Sequence, residues 1–252
     1  MDPNLIKTSL NMISKTYRDI LEPFDMTPII TGIDTSKRAY DQAKRNQTRT
    51  SHAPIPWGYT IYHNQPLRFR PIAVPNSIEL QVDVYCDIRW ADAILPVKQD
   101  IKVRLWSKHW NTIFREDMDA QRIREQLADN TDPSAGSRVV SRFHLDKANP
   151  DQKNGPTYHL QFGGKPEAYE ACWHPEKVNV PRLAHQPMDL FLTCQMIAAN
   201  FFRKEYASIK EKAEWRRQVI ECQKWFLLDY YRGCYEAVRN NEILLDSLWV
   251  VN

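Results

Sequence analysis

At 252 residues, 42% of them hydrophobic and with 8 Trp, 11 Tyr and 9 Phe, the chain has ample material for a large core, which excludes a disordered segment. Its 34 basic and 31 acidic side chains leave a net charge of only +3, so any nucleic-acid surface has to be a local patch. With 7 Gly against 16 Pro and neither a GxGxxG nor a Walker-type loop, glycine-rich nucleotide binding is excluded and no cofactor is expected.

The chain opens on a helix. From Asn4 to Leu21, the residues Leu5, Ile6, Leu10, Ile13, Tyr17, Ile20 and Leu21 recur at helical spacing, and Pro23 stops the pattern. This start lacks the charged lead and long apolar run of a secretory signal. A second helix is expected after Asp34 or Thr35, either of which can cap it, and runs to about Asn46. From Thr50 to Pro75 prolines interleave with Trp57, Tyr59, Tyr62 and Phe69, which reads as an extended, aromatic-packed approach to a sheet.

Ile78, Leu80, Val82, Val84, Cys86, Ile88 and Trp90 then alternate with polar residues, which predicts a long strand with one buried face. Val97 to Trp106 repeats the pattern more weakly, and Arg115 to Asp129 reads as a polar helix. Phe143 and Leu145 alternate with Arg142, His144 and Asp146, while Tyr158, Leu160 and Phe162 alternate with His159 and Gln161. These are two more half-buried strands, separated by the turn-rich KANPDQKNGPT. If they pair directly, matching Phe143 with Leu160 and Leu145 with Tyr158 keeps the apolar groups together. That register sets His144 opposite His159, Arg142 opposite Gln161 and Asp146 opposite Thr157.

After Gly164 the chain is irregular to Pro187. Met188 to Phe202 is the most apolar segment, too short to cross a bilayer and better suited to a core helix, so no membrane association is expected. To about Asn240 the rest is helical, with Trp215, Val219, Cys222, Phe226 and Tyr230 on one stripe and Ile220, Leu227, Tyr231, Cys234 and Val238 on its neighbour, which predicts burial on two sides. Helices, then strands, then helices is the order of an α+β fold whose mainly antiparallel sheet is covered on one face. One domain over 1–252 is expected, with N-terminal helices over 1–49, the sheet over 50–164 and C-terminal helices over 165–252. The five cysteines are odd in number and scattered, which favours free thiols in a reducing cytoplasm.

The strands around His144 and His159 carry the one constellation with a plausible chemistry. Imidazoles titrate near neutrality, so His144 and His159 can serve as base and acid, Arg142 can hold an anionic group, and Asp146 can orient a histidine or bind a metal, with Gln161 beside them. Metal-free phosphodiester cleavage needs such a set, and no resident metal is assigned. Two-histidine phosphoesterases carry histidine-x-Ser/Thr on each of two strands, whereas here the pairs are His144-Leu-Asp146 and His159-Leu-Gln161. A bland alternative is a solvated sheet face with ordinary cross-strand pairs.

Two further sets of residues carry ligand or cationic chemistry. Cys172, His174, His185 and Cys194 have the ligand types zinc takes but not the tight spacing of structural sites, and Cys194 reads more simply as a core thiol. Lys37, Arg38, Lys44 and Arg45 on the second helix, with Lys102 and Arg104 near Trp106, offer cations and aromatics to RNA or DNA, against the alternative of a solvated helix and a charged sheet edge.

The runs RFHLDKANP, YHLQFGG and PRLAHQPMDLFLTCQMIAANFF, between Arg142 and Phe202, resemble a pattern in uncharacterised bacterial proteins found beside mobile-element and toxin or defence genes. The resemblance implies a bacterial cytoplasmic setting and assigns no residue a role. The function expected is therefore phosphodiester chemistry on or beside nucleic acid at the His144/His159 face. The alternative is a non-catalytic interaction protein that docks a partner such as an antitoxin or nuclease subunit. A small-molecule enzyme without the usual cofactor loops ranks third.

Overall fold

Residues 1–47, 53–74, 78–108, 138–148, 157–163 and 182–241 are described by the computed structural model. The polar helix expected over Arg115–Asp129 lies outside them. The strands are β1 (Trp57–Ile61), β2 (Leu67–Arg68), β3 (Ile72–Val74), β4 (Ile78–Trp90), β5 (Lys98–Lys108), β6 (Arg138–Lys147), β7 (Tyr158–Phe162) and β8 (Arg182–Ala184). The helices are α1 (Pro3–Thr16), α2 (Thr27–Asn46), α3 (Leu190–Phe201), α4 (Arg203–Ile209), α5 (Ala213–Phe226) and α6 (Leu228–Arg239). The molecule is thus α+β, with all the described strand pairs antiparallel.

β4 organises the sheet. On one side β1, β2 and β3 pair with it in succession, because Pro66 and Pro71 interrupt the chain that would otherwise make one long edge strand. On its other side the order continues β5, β6, β7, β8, a meander in which each strand pairs with the next. The strand β8 falls where an irregular stretch was expected. Three residues are too few for alternation to show.

The helices begin where the local chemistry dictates. The Asp2 carboxylate accepts the Asn4 N–H at 2.9 Å, and Pro3 sits where its missing N–H costs nothing. α1 ends at Thr16, before the expected Leu21. Ile20 and Leu21 remain buried because they turn onto the sheet edge, where Leu21 bridges Phe69 and the Arg70 N–H reaches the Ile20 carbonyl at 2.8 Å. α2 starts at Thr27, not after Asp34 or Thr35, with Pro28 in its first turn. Asp34 instead accepts from Lys7 at 2.8 Å, and the Thr35 hydroxyl donates to the Thr31 carbonyl at 3.2 Å.

The apolar faces of β4, β5 and β6, including Val84, Ile88, Ile101, Val103 and Leu145, share one cluster with Leu10, Ile13 and Tyr17 of α1, Phe191 and Ile197 of α3, and Trp215 and Val219 of α5. The Trp215 indole donates to the Tyr17 hydroxyl at 2.9 Å, which ties α5 to the end of α1 across this core. Cys194 is fully buried here, and Cys86, Cys194, Cys222 and Cys234 are all free thiols. The first C-terminal stripe is buried as expected, apart from a half-exposed Tyr230. The second is not: Ile220, Tyr231 and Val238 face solvent, because α5 and α6 cover the core from one side only. No helix among the described residues is long and apolar enough to cross a membrane.

Asp189 caps α3, accepting the Leu192 N–H at 2.7 Å while buried. Burial pushes its carboxyl up to about 6, partly opposed by the Leu192 amide. A raised carboxyl contributes stability that is complete below the unfolded value of 3.8 and lost as pH rises through the folded one. Asp189→Asn keeps an acceptor and removes the charge. In urea titrations the stability of the natural protein relative to this variant should fall by on the order of 3 kcal/mol between pH 4 and pH 7. A difference that does not change with pH would contradict the assignment.

Candidate active site on the polar face of the sheet

Because one face of β4 to β6 is committed to the helices, every second residue is thrown onto the other. Pairing aligns those residues in rows that cross the sheet. One row reads Thr60, Asp87, Asp100, Asp146, His159 from β1 to β7. The next, two residues along each strand, reads Tyr85, Lys102, His144, Gln161. The third reads Arg68, Asp83, Arg104, Arg142. Rows are roughly 6.6–6.8 Å apart and strands about 4.7–4.9 Å apart, so carboxylates, imidazoles and guanidinium groups occupy a patch about the size of a dinucleotide.

His144, Asp146, His159, Gln161 and Arg142 therefore do share a face, but not in the expected register. His144 lies opposite Gln161 and His159 opposite Asp146, with Phe143 opposite Phe162 and Leu145 opposite Leu160. The shift is two residues, which leaves every side chain on its expected face and changes only its partner. In this register Tyr158 pairs with Lys147, whose ammonium lies 5.7 Å from the centre of its ring. The two histidines are thus diagonal neighbours. Nor is the face a solvated one, since His144, His159, Arg104 and Arg142 are all buried, His159 at 3% and Arg142 at 1% exposure.

The charges in the patch are matched unequally. Asp83 accepts from Arg68 at 3.0 Å, from Arg104 at 3.3 Å and from the Trp106 indole at 2.9 Å. Asp87 accepts from Arg89 at 2.7 Å, Lys98 at 2.6 Å and Thr60 at 3.1 Å, and these cations hold it below the usual carboxylate range despite its burial. Asp100 has Lys102 at 3.3 Å. Its carboxyl is pushed up, first by burial and then by the charge of Asp146, against the pull of Lys102 and His144. His144 Nδ1 is 3.6 Å from Asp146 Oδ2, too long for a hydrogen bond. Among the described residues His144 Nε2, Asp100 Oδ1 and Asp146 Oδ1 are buried with no hydrogen-bond partner. Asp100, His144 and Asp146 each offer one ligand atom, all within 4.8 Å of one another.

The third row anchors the strand ends. Arg142 Nε donates to the Gly163 carbonyl at 2.9 Å, and the Gly163 N–H returns to the Arg142 carbonyl at 2.7 Å. Gly163 holds φ 75°, a left-handed conformation that any side chain would strain, so this clamp depends on glycine. Arg104 stacks on Tyr85 and Trp106 with its guanidinium 4.6 and 5.1 Å from the ring centres.

Lys102 and Arg104 thus belong to the patch itself and not to an outer nucleic-acid surface. The other four cations lie elsewhere, on α2 beside β1. There Lys37 pairs with Asp41, Lys44 pairs with Asp92 at 2.6 Å, and Arg38 and Arg45 are exposed with Nε donated to backbone carbonyls. Of the zinc set, Cys172 and His174 fall outside the described residues, and the His185 ring contacts the Gln186 carbonyl. Asp100 and Asp83 had no place in the site read from sequence. The signal for Asp100 was present in Asp100-Ile101-Lys102, two ionisable residues two apart on a strand whose alternate positions are apolar.

Comparison with protein-family models, curated proteins and solved structures returned no match.

The register can be tested by cross-linking. The backbone bonds at Arg142–Gly163 and Ala148–Thr157 make Phe143 and Phe162 a close, non-hydrogen-bonded pair. A Phe143→Cys/Phe162→Cys variant should form a disulfide on mild oxidation, read as a loss of two mass units, while Phe143→Cys/Leu160→Cys should not. The reverse pattern would restore the register with His144 opposite His159.

Proposed function

We propose that the protein cleaves phosphodiesters in RNA or single-stranded DNA at the polar face of its sheet, with His159 moving the proton and Lys102, Arg104 and Arg142 supplying positive field. The observation that carries this is the order of the rows: arginines at one end, carboxylates at the other, and Lys102, His144 and Gln161 between. Cleavage of a phosphodiester needs a group to take a proton from the attacking oxygen or give one to the leaving oxygen, and fixed cations for the negative charge that builds on phosphorus. His159 lies directly opposite Asp146 in the register, close enough for the carboxylate to orient the imidazole once a substrate is bound. His144 is turned instead towards Asp100 and Asp146, so the two histidines take different roles and do not form a symmetric acid–base pair. Asp100, Lys102, Asp146 and Gln161 are half-buried and the remaining members of the site are buried, which favours a flexible single strand over a rigid duplex. Arg38 and Arg45, exposed on α2, offer a separate cationic surface for backbone contacts. Free thiols at four positions and the resemblance to bacterial proteins of mobile-element and defence neighbourhoods support a bacterial cytoplasmic setting.

A second reading, docking of a protein partner such as an antitoxin or a nuclease subunit, is favoured by α6. Its Leu228, Tyr231, Tyr235 and Val238 form one exposed apolar stripe at helical spacing.

The assay is degradation of single-stranded RNA and DNA by the full chain, with and without divalent cations. Activity should depend on pH through an imidazole, and His159→Gln should lower the rate on the order of 10²–10⁴-fold while the protein stays folded. The glutamine variant is chosen because His159 is buried and alanine would leave a hole. No cleavage by the natural protein under any of these conditions, or full activity in folded His159→Gln, would leave the docking reading in its place.

A further inference from the structure

We propose that Asp100, His144 and Asp146 form a binding site for one divalent transition-metal cation of the Mn²⁺ type. The inference deepens the reading of this face as a phosphodiester site, but the binding itself does not depend on that reaction. Three ligand-type atoms, one from each residue, lie within 4.8 Å of one another. Donors sharing one ion at about 2.0–2.2 Å are roughly 3–4.4 Å apart depending on geometry, so side-chain adjustments of up to about an ångström bring all three into coordination.

The positions are rigid ones. Asp100 on β5 is directly opposite Asp146 on β6, and His144 precedes Asp146 by two residues on the same strand and therefore the same face. Strands on both sides hold β5 and β6 in place, so the convergence does not depend on a loop.

A separate observation points to a missing ligand. His144 is only 8% exposed, and its Nε2, like Asp100 Oδ1 and Asp146 Oδ1, is buried without a hydrogen-bond partner among the described residues. Buried polar atoms are nearly always paired, and here each of the three clustered side chains carries one orphaned atom, so the cluster is short of partners that a shared ion would supply. Charge agrees. Asp83 and Asp87 each hold two cationic partners, whereas Asp100 and Asp146 together have Lys102 at 3.3 Å and the His144 ring at 3.6 Å. Two carboxylates and one imidazole form a donor set between the all-oxygen sites of Mg²⁺ and the thiolate and imidazole sites of Zn²⁺, which is where Mn²⁺ falls. Three protein ligands leave coordination positions for water or a phosphate oxygen.

The test is titration of the untagged full chain with Mn²⁺ alone, followed by calorimetry and electron paramagnetic resonance. Saturable binding of one Mn²⁺ per chain is expected, displaced by Zn²⁺ and weakened about 10–100-fold in Asp146→Asn and in His144→Gln, with exposed Asp229→Asn on α6 unaffected. Should the variants fail to fold, the natural protein still decides the matter, because a bound imidazole gives the Mn²⁺ signal a nitrogen coupling. Absence of saturable binding, affinity unchanged in folded Asp146→Asn, or a bound ion without nitrogen coupling would overturn the site. Binding without cleavage of any single strand would overturn the phosphodiester reading and leave the site intact. Cleavage by a protein that shows no saturable Mn²⁺ binding would do the opposite.

Discussion

Everything at the candidate site follows from one commitment, that of a single face of β4, β5 and β6 to the helices. Val84, Ile88, Ile101, Val103 and Leu145 are buried in one cluster with α1, α3 and α5, and strand geometry then sends the intervening residues to the other side. A slip of one residue between neighbouring strands would bring polar groups into that cluster, so away from the one-residue irregularity at Leu105/Trp106 register can differ only in steps of two. Within that constraint the ionisable residues have no freedom to scatter. They line up in transverse rows whose composition is set by which side chain each strand supplies at that level.

Those rows carry more charge than a protein usually buries, and most of it is matched on the spot. Asp83 sits among Arg68, Arg104 and Trp106, and Asp87 among Arg89, Lys98 and Thr60. Such groups stabilise one arrangement of the sheet, and removing one partner would strand the other in a poorly solvated place. Asp100, His144 and Asp146 break the pattern. They are held as firmly as the rest, yet among the described residues Asp100 Oδ1, His144 Nε2 and Asp146 Oδ1 have no hydrogen-bond partner, and the Asp100 carboxyl is driven upwards by burial and by its neighbour. Places where local satisfaction fails inside an otherwise consistent fold are where function is to be sought.

Much of this was legible in the sequence because it rests on alternation. The long strand at Ile78–Trp90, the strands carrying His144 and His159, and the shared polar face all follow from period-2 patterns that no other structure satisfies. What was not legible depended on contacts between distant segments. The two-residue register shift preserves every face and so leaves no trace in hydrophobic pattern. The Ile20 and Leu21 pair continues a helical spacing while bonding to a sheet edge near Phe69, and α2 begins at a proline signal eight residues before the polar residues that looked like its cap. Burial of the polar face was missed for the same reason, since nothing local distinguishes a covered Arg142 from a solvated one. Asp100 entered the site only because β5 lies between β4 and β6.

The central claim is that the sheet brings Asp100, His144 and Asp146 to one point. It is tested most directly by an anomalous difference map from crystals of the full chain grown with Mn²⁺. The account predicts a single strong peak at coordination distance, about 2.0–2.2 Å, from one oxygen of each aspartate and one nitrogen of His144. A map in which these side chains diverge, or in which no ion lies between β5 and β6 at saturating Mn²⁺, would contradict it.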